Sequence, residues 1–477
     1  MTLCTQTALP FQAHFKREVV ADFRGSRISS DGGALLLRAV DRLTNIVGQA
    51  ARAFTDRRHP ASTEHSLEAL LRQRTYGLCL GYEDLNDHDY LQGDSLLAMA
   101  CGREDLYGQH RHRESDIGKP LASSSTLNRL ELAVPLEPGR NPEPDRYHKI
   151  LFDPVAGQDF FTDQFIASSQ RIPKEIILDL DATDDPLHGH QEGRFWHGYY
   201  GCYCYMPLYI FCGEHLLWAE LRPANQDGAA GSLEAVERIV TRLRADRRWR
   251  KTRIIIRADS GFCRDHLLAW CEANEVDYII GLAKNARLKR MTGEAMGVAM
   301  AACAASGEPA RSYADLTYRT RSSWSRERRV VAKSEALPAT DVKAKRKANH
   351  RFVVTSLSAA THPAEELYCH WYCQRGEMEN RIKEQQLYLF ADRTSTAHMW
   401  SNQIRLWLSS VAYVLMHALR RQALLETSYA RAQCGSIRDR LLKIGAVIRT
   451  TTRRIYVHLS GNHPAEPIWR RMLPRLT

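Results

Sequence analysis

The chain lacks the features of an exported or membrane-embedded protein. Its first residues, MTLCTQTALPFQAHFKREVV, have no basic start followed by an apolar core, so a secretory leader is not expected. No apolar run is long and uncharged enough to span a bilayer. The most apolar stretch, Ile404 to Leu419, carries Arg405, Ser409, Ser410 and His417, which predicts a buried amphipathic helix. Cysteine is sparse for a disulfide or zinc scaffold: 12 thiols are scattered through 477 residues. None forms a CxxC pair, and no second pair follows Cys202/Cys204 at zinc-ligand spacing, which excludes a zinc ribbon or finger. The cysteines read as free thiols of a reducing cytosol. There is no internal repeat and no low-complexity tract. A soluble cytoplasmic protein of several domains is expected. Acidic residues are also in short supply: 55 Asp and Glu face 66 Lys and Arg, a net charge of +11. That balance favours a polyanionic partner.

What is present changes character along the chain. The first third reads as helical. Leu36, Val40, Leu43 and Val47 fall at helical spacing after an Asp31-Gly32-Gly33 turn, and a second apolar helix covers Leu67 to Leu80. The segment Ser123 to Glu131, SSSTLNRLE, reads as a short capped helix exposing Asn128 and Arg129. It is either an ordinary surface helix or the reading helix of a helix-turn-helix. Pro135, Pro138, Pro142 and Pro144 then mark a linker.

From Lys174 the period becomes that of strands. KEIILDLDATD, the runs YYGCYCYMPLYIFC and HLLWAEL, RIIIRADSGF and VDYIIGLA read as strands. Helices are expected from Ser232 and over Cys263 to Ala273. The order β-β-β-α-β-α-β is that of a ribonuclease H-like α/β core. Between 285 and 365, RSYADLTYRTRSS, RRVVAKSEA and HRFVVTSL read as a small antiparallel insertion, with a basic loop at Lys343, Lys345, Arg346 and Lys347. Helices follow over Tyr372 to Leu387 and about Thr396 to Leu424. After Ser428 ten cations face only Asp439 and Glu466.

Three acids stand where chemistry is expected. Asp181 ends the first strand, Asp259 ends a later strand, and Glu379 lies on the helix after the insertion. Strand carboxyl ends form the functional edge of α/β sheets. Carboxylates are the ligands that Mg²⁺ prefers, and a metal pair can drive phosphodiester transfer. Tyr372, Arg375, Glu379, Lys383 and Gln386 share one helical stripe, which reads either as an ion-pair ladder or as a phosphate-binding face. Gly376 within that helix suggests a close backbone approach. His188, His190 and His197 read as a polar loop rather than a zinc site. Trp196, Tyr199 and Tyr200 read as buried aromatics or as stacking partners for bases.

The spacing Tyr372-x2-Arg375-x3-Glu379 resembles the Y-x2-R-x3-E-x6-K signature of DDE transposases from bacterial insertion sequences. The segments LDLDATDD, RADSGF, DGGALLLR and YCQRGEMENRIKE agree with it, so the resemblance spans nearly the whole chain. It implies a ribonuclease H-like catalytic core interrupted by the β-rich insertion, with a mainly helical N-terminal domain and a basic C-terminal region. The corresponding boundaries are 1–150 for a DNA-binding domain, 151–284 and 366–425 for the core, 285–365 for the insertion and 426–477 for the basic region. It implies Asp181, Asp259 and Glu379 as a catalytic, metal-binding triad for two Mg²⁺ or Mn²⁺ ions. Asp181 is preferred over Asp179 and Asp184 because the first acid of the family commonly precedes a small residue and Thr. Glu377 falls off the stripe. Tyr372, Arg375 and Lys383 would contact DNA, Gln386 standing where the signature has its lysine. Hairpin excision, as in related transposases, would need a tryptophan from the insertion to capture a base. Trp324 is the candidate, with Arg326, Arg328 and Arg329 meeting phosphates; the alternative is a Trp that packs the insertion's own small core. The expected partners are terminal inverted repeats, target DNA and a second subunit in a synaptic homodimer, in the bacterial cytoplasm and on the nucleoid. A nuclease without strand transfer and a silent transposase-derived repressor are the rival readings.

Overall fold

The computed structural model describes residues 8–23, 26–136, 148–338 and 347–476. Pro138, Pro142 and Pro144 of the expected linker lie outside these residues, as do Lys343, Lys345 and Arg346 of the basic loop. Among the described residues no helix is long and apolar enough to cross a membrane.

A mixed eight-stranded sheet forms the centre. Its strands are β1 (Glu175–Ala182), β2 (Leu208–Cys212), β3 (His215–Glu220), β4 (Arg253–Ala258), β5 (Asp277–Leu282), β6 (Ala310–Tyr318), β7 (Arg328–Leu337) and β8 (Lys347–Thr355). The spatial order is β3-β2-β1-β4-β5-β8-β7-β6. β1, β4 and β5 run parallel, and every other neighbouring pair is antiparallel. The continuous apolar run of β4 follows from this: a parallel strand at the sheet's centre is covered on both faces.

The helices that matter for the site are α1 (Ala34–Thr44), α2 (Leu67–Leu80), α3 (Ser124–Glu131), α4 (Ser232–Ala245), α5 (Asp265–Ala273), α6 (Gly293–Ser306), α7 (Gly376–Leu389) and α8 (Met399–Leu419). Leu178, Leu180, Ile254 and Ile256 pack one sheet face against α4 and α5. Tyr209, Phe211 and Leu216 share the other core with α1, α2, α7 and α8. Segment 367–372 covers that second face over Ile255, Ile279 and Val353.

Three sequence expectations need correction. The run 199–212 is two strands. Cys202–Tyr205 leaves the main sheet and pairs with Asp185–Pro186 and Phe195–His197 in a separate small sheet. The β-rich insertion contains its three strands, but they extend the main sheet through the β5–β8 pair. It also carries the unexpected helix α6. That segment is rich in alanine, the strongest helix former, and Ala299 and Cys303 pack on Ala336 of β7.

The N-terminal helices and the C-terminal segment are joined at the Asp31-Gly32-Gly33 turn. A Cβ on Gly33 would fall 2.1 Å from the Leu442 Cα, and one on Gly32 would fall 2.7 Å from the Ile444 carbonyl oxygen. Backbone N–H groups of both glycines donate to residues 442 and 444, and Lys443 pairs with the buried Asp31 at 2.7 Å. The glycines thus permit backbone-to-backbone contact that any side chain would block.

Candidate active site

β1 and β4 are adjacent and parallel, so their carboxyl ends emerge side by side. Asp181 is the penultimate residue of β1 and Asp259 directly follows β4. Glu379 comes from the first turn of α7. Met378 and Ile382 turn that helix toward the core, and Gln385 donates to the Ser410 hydroxyl of α8 at 2.8 Å. The opposite stripe faces a cleft of about 950 Å³, lined by Asp181, Asp259, Arg375, Glu379, Lys383 and Gln386.

Arg375 stands between two of the acids. Its guanidinium lies 3.6 Å from the Asp181 carboxylate and 3.1 Å from that of Glu379. Burial pushes the Asp181 carboxyl up to about 6; Arg375 opposes that shift, while Asp259 and Glu379 add to it. Asp259 accepts from the Gly261 N–H at 2.8 Å through one oxygen, in a local turn. Lys383 is exposed within the cleft. Gln386 donates to the Asp184 carbonyl at 3.4 Å.

The two alternating aspartates of β1 have different surroundings. Asp179 is gripped by both ends of the Arg257 fork, at 2.5 and 2.8 Å, and is buried. Arg257 also donates to the Trp371 carbonyl, tying β4 to the segment before α7. Asp181 opens into the cleft; Asp179 does not line it. Arg257 went unnoticed at the sequence level. The signal is the second cation of RIIIRA, which follows three isoleucines and which a buried strand accepts only with a partner.

The helix of the stripe begins later than its spacing suggests. Residues 367–372 form a widened π-type turn, Cys373–Arg375 a tight 3₁₀ turn, and only Gly376 starts α7. No atom lies within 4 Å of a Cβ built on Gly376, so the expected close approach is absent there. It occurs instead at Gly281 of β5. A Cβ at Gly281 would fall 2.6 Å from the Tyr372 hydroxyl and 2.8 Å from the Ser260 nitrogen. Tyr372 does not line the cleft; its hydroxyl packs behind the Asp259 turn.

Trp324, Arg328 and Arg329 are turned into the protein. Trp324 is 4% exposed and belongs to the core, edge-on to Tyr318. Arg328, its side chain 2% exposed, pairs at 2.7 Å with both Asp265 and Glu272. Arg329 pairs with Asp315 and donates to the carbonyls of Leu357 and His362. Arg328 and Arg329 thus already have partners inside the protein, whereas the Arg326 side chain is 67% exposed and lies 3.7 Å from Glu272. Conversely, Trp196 (58% exposed) and Tyr199 (86% exposed) are not the buried aromatics expected, and Tyr199 and Tyr200 line the carboxylate cleft. His188 and His190 are exposed.

The donor set suits a hard divalent cation in kind, being three carboxylates with no sulfur or nitrogen. The upward shift at Asp181 comes first from burial, with Asp259 and Glu379 adding to it. Among the described residues no three potential ligands converge closely enough to grip a metal ion in this arrangement, where Arg375 bridges two of them. A metal held by Asp181, Asp259 and Glu379 therefore requires Arg375 to yield.

The family profile described as transposase DDE domain group 1 matches residues 11–477. No curated protein matches the chain.

Proposed function

The chain belongs to the group 1 family of DDE-domain transposases, and from that premise we propose that it cuts and rejoins DNA at the terminal inverted repeats of its own insertion sequence. The carrying observation is that Asp181, Asp259 and Glu379, from β1, β4 and α7, share one cleft with Arg375 bridging two of them. Strands β1 to β5 with α4, α5, α7 and α8 serve as a ribonuclease H-like core, and residues 285–365 are its insertion. Residues 1–150 and 426–477 provide further DNA contacts.

Asp181, Asp259 and Glu379 would hold Mg²⁺ or Mn²⁺, two ions in the full site, which supply activation of the attacking oxygen and neutralise the leaving one. Water attacks the phosphodiester at each element end. The bond from phosphorus to the 3′ oxygen breaks, and that oxygen takes a proton to become a 3′-hydroxyl. This hydroxyl then attacks a phosphodiester itself, on the opposite strand in a hairpin route and in target DNA at insertion; the attacked strand's own 3′ oxygen leaves and takes the proton that the attacking hydroxyl gives up. Arg375 exchanges its carboxylate partners for phosphate oxygens, a geometry its planar fork suits. Lys383 supplies the second phosphate cation where the signature lysine is replaced by Gln386. Tyr372, behind the Asp259 turn, keeps that acid and Arg375 in register. Two ends must be joined in one event, which calls for a homodimer.

The test uses labelled duplexes carrying the element's own end. Wild-type protein should nick them with Mg²⁺ and not with chelator, and should join the freed 3′ ends to a target plasmid. Nicking without joining would make the protein a nuclease of the same core. Binding without nicking would make it a silent repressor.

A further inference from the structure

A second cleft opens on the helical layer and shares no lining residue with the carboxylate cleft. It measures about 630 Å³. Its walls come from five places in the chain: 58–65, Gln92, 111–116, 123–129 with the start of α3, and Lys149. Arg58, Arg111, Arg113, Arg129 and Lys149 line it, against Glu64 and Asp116.

The acids are already spoken for. Arg111 holds Glu64 at 2.9 Å and lies 3.9 Å from Asp116, while Arg58 holds Asp56 at 2.7 Å. Arg113, Arg129 and Lys149 make no ion pair among the described residues. Arg111 has a side chain only 6% exposed, yet its buried Nε has no hydrogen-bond partner. His65 lies 3.0 Å from the Arg111 Nη1 through its Nε2. Burial, and then the charges of Arg103, Arg111 and Arg58, pull the His65 pKa down to about 3. It therefore stays a neutral acceptor that orients Arg111 without cancelling its charge. The hydroxyls of Ser125 and Thr126 add donors along the same wall. No Phe, Tyr or Trp lines the cleft, and its rings are the imidazoles of His59, His65 and His112.

We propose that this cleft grips the phosphates of a duplex DNA backbone, as an anchoring site separate from the chemistry. The choice of DNA as the polyanion rests on the transposase reading. The choice of backbone rests on the three cations that have no ion pair among the described residues and on the hydroxyl donors beside them, which suit phosphate oxygens. The anchor is tied to the catalytic helix. Glu131 at the end of α3 accepts from Arg74 of α2 at 2.9 Å and from Arg405 of α8 at 2.6 Å. α8 in turn holds α7 through Ser410 and Gln385. A duplex seated here is therefore fixed relative to Glu379.

The test measures anisotropy of a labelled element-end duplex on the full chain, in chelator, across a salt series. Replacing Arg113, Arg129 and Lys149 by Ala together should weaken binding at least tenfold. It should also lower the slope of log K against log salt by about 2 to 3, since each lost phosphate contact removes about 0.9. Ser125→Glu adds a negative charge at an exposed position without removing any packing, and should weaken binding several-fold on its own. Unchanged affinity and slope in both variants would overturn the proposal. Calorimetry with inorganic phosphate supplies the other arm: phosphate binding lost in the triple variant, with duplex affinity retained, would make the cleft a small-anion site and would also overturn it. Because chelator is present, the result does not depend on cleavage. If wild-type protein never nicks DNA with Mg²⁺ but the variants still lose duplex binding, the anchor stands and the catalytic reading falls.

Discussion

The cleft around Asp181 and the turn around Trp324 are made of the same residue types, arginines beside carboxylates and aromatic rings, and they do opposite things. Around Trp324 the buried charges are paired: Arg328 has Asp265 and Glu272, Arg329 has Asp315 and two carbonyls, and the indole lies against the Arg328 guanidinium. Around Asp181 acids are in excess. Asp181, Asp184, Asp259, Glu379 and Asp392 line a cleft whose lining cations are Arg375 and Lys383. An excess of acid at the end of a sheet is an electrostatic cost that a bound cation relieves, whereas a balanced cluster has nothing left to bind. Pairing, rather than residue type, separates a site from a strut.

The widest separation between the two regions is expected in catalysis. Asp181→Asn, Asp259→Asn or Glu379→Gln should each reduce Mg²⁺-dependent end cleavage on the order of 10³-fold or more, the equivalent of several kcal/mol of transition-state stabilisation. Duplex binding should survive, as anisotropy would report. A cleft variant that cuts normally would erase the contrast.

In the Trp324 turn the loss should fall on stability instead. Trp324→Ala should cost about 3–5 kcal/mol in urea denaturation, as a large aromatic leaves a core cavity. Arg328→Ala should cost about 3 kcal/mol, at the low end for a broken buried pair because Asp265 and Glu272 keep some contact with water. Cleavage per folded molecule should be unchanged at a temperature where both variants remain folded. Normal stability with lost hairpin product would return Trp324 to the mechanism.

A smaller effect follows from the Asp181 carboxyl. Its pKa is raised in the folded protein to about 6, so the folded state holds that proton more tightly than the unfolded chain. The associated stability is fully present below the ordinary carboxylate pKa and is lost as pH rises through about 6. Asp181→Asn should therefore be relatively more stable than wild type at about pH 7 than at about pH 4, by on the order of 2 kcal/mol, in denaturation without divalent ions. A parallel pH profile for the two proteins would mean that Asp181 is not held in a buried, acid-lined environment. The smallest change is at the cleft rim. Lys383→Ala should lower the salt slope of binding by about 0.9, and Gln386→Lys should raise duplex affinity by roughly a few-fold, each altering one phosphate contact.

Much of the central fold is legible in sequence because β1, β4 and β5 are long apolar runs with acids at their ends, and because Met378 and Ile382 set the face of α7. What sequence alone leaves open depends on contacts between distant segments. Asp179 and Asp181 sit on the same strand face, and only the position of Arg257, on the neighbouring strand, divides them into a paired and an open acid. Gly376 and Gly281 are both glycines near the site, yet only Gly281 has the Tyr372 hydroxyl pressed against it. Trp196 and Trp324 both sit among arginines or tyrosines, and their exposure follows from separate sheets: a small outlying one and the central one. The helix α6 hides in an alanine-rich run whose apolar residues show no marked face.

Catalysis in this cleft depends on Asp259 acting as a metal ligand, and ligand exchange tests that most directly. Asp259→Cys replaces an oxygen donor by sulfur, which Mg²⁺ accepts poorly and Mn²⁺ accepts better. End cleavage by this variant should be lost in Mg²⁺ and recover in Mn²⁺, while Asp259→Ala stays inactive in both. Equal activity of Asp259→Cys in the two metals, or recovery of Asp259→Ala in Mn²⁺, would contradict a carboxylate-held metal at this position.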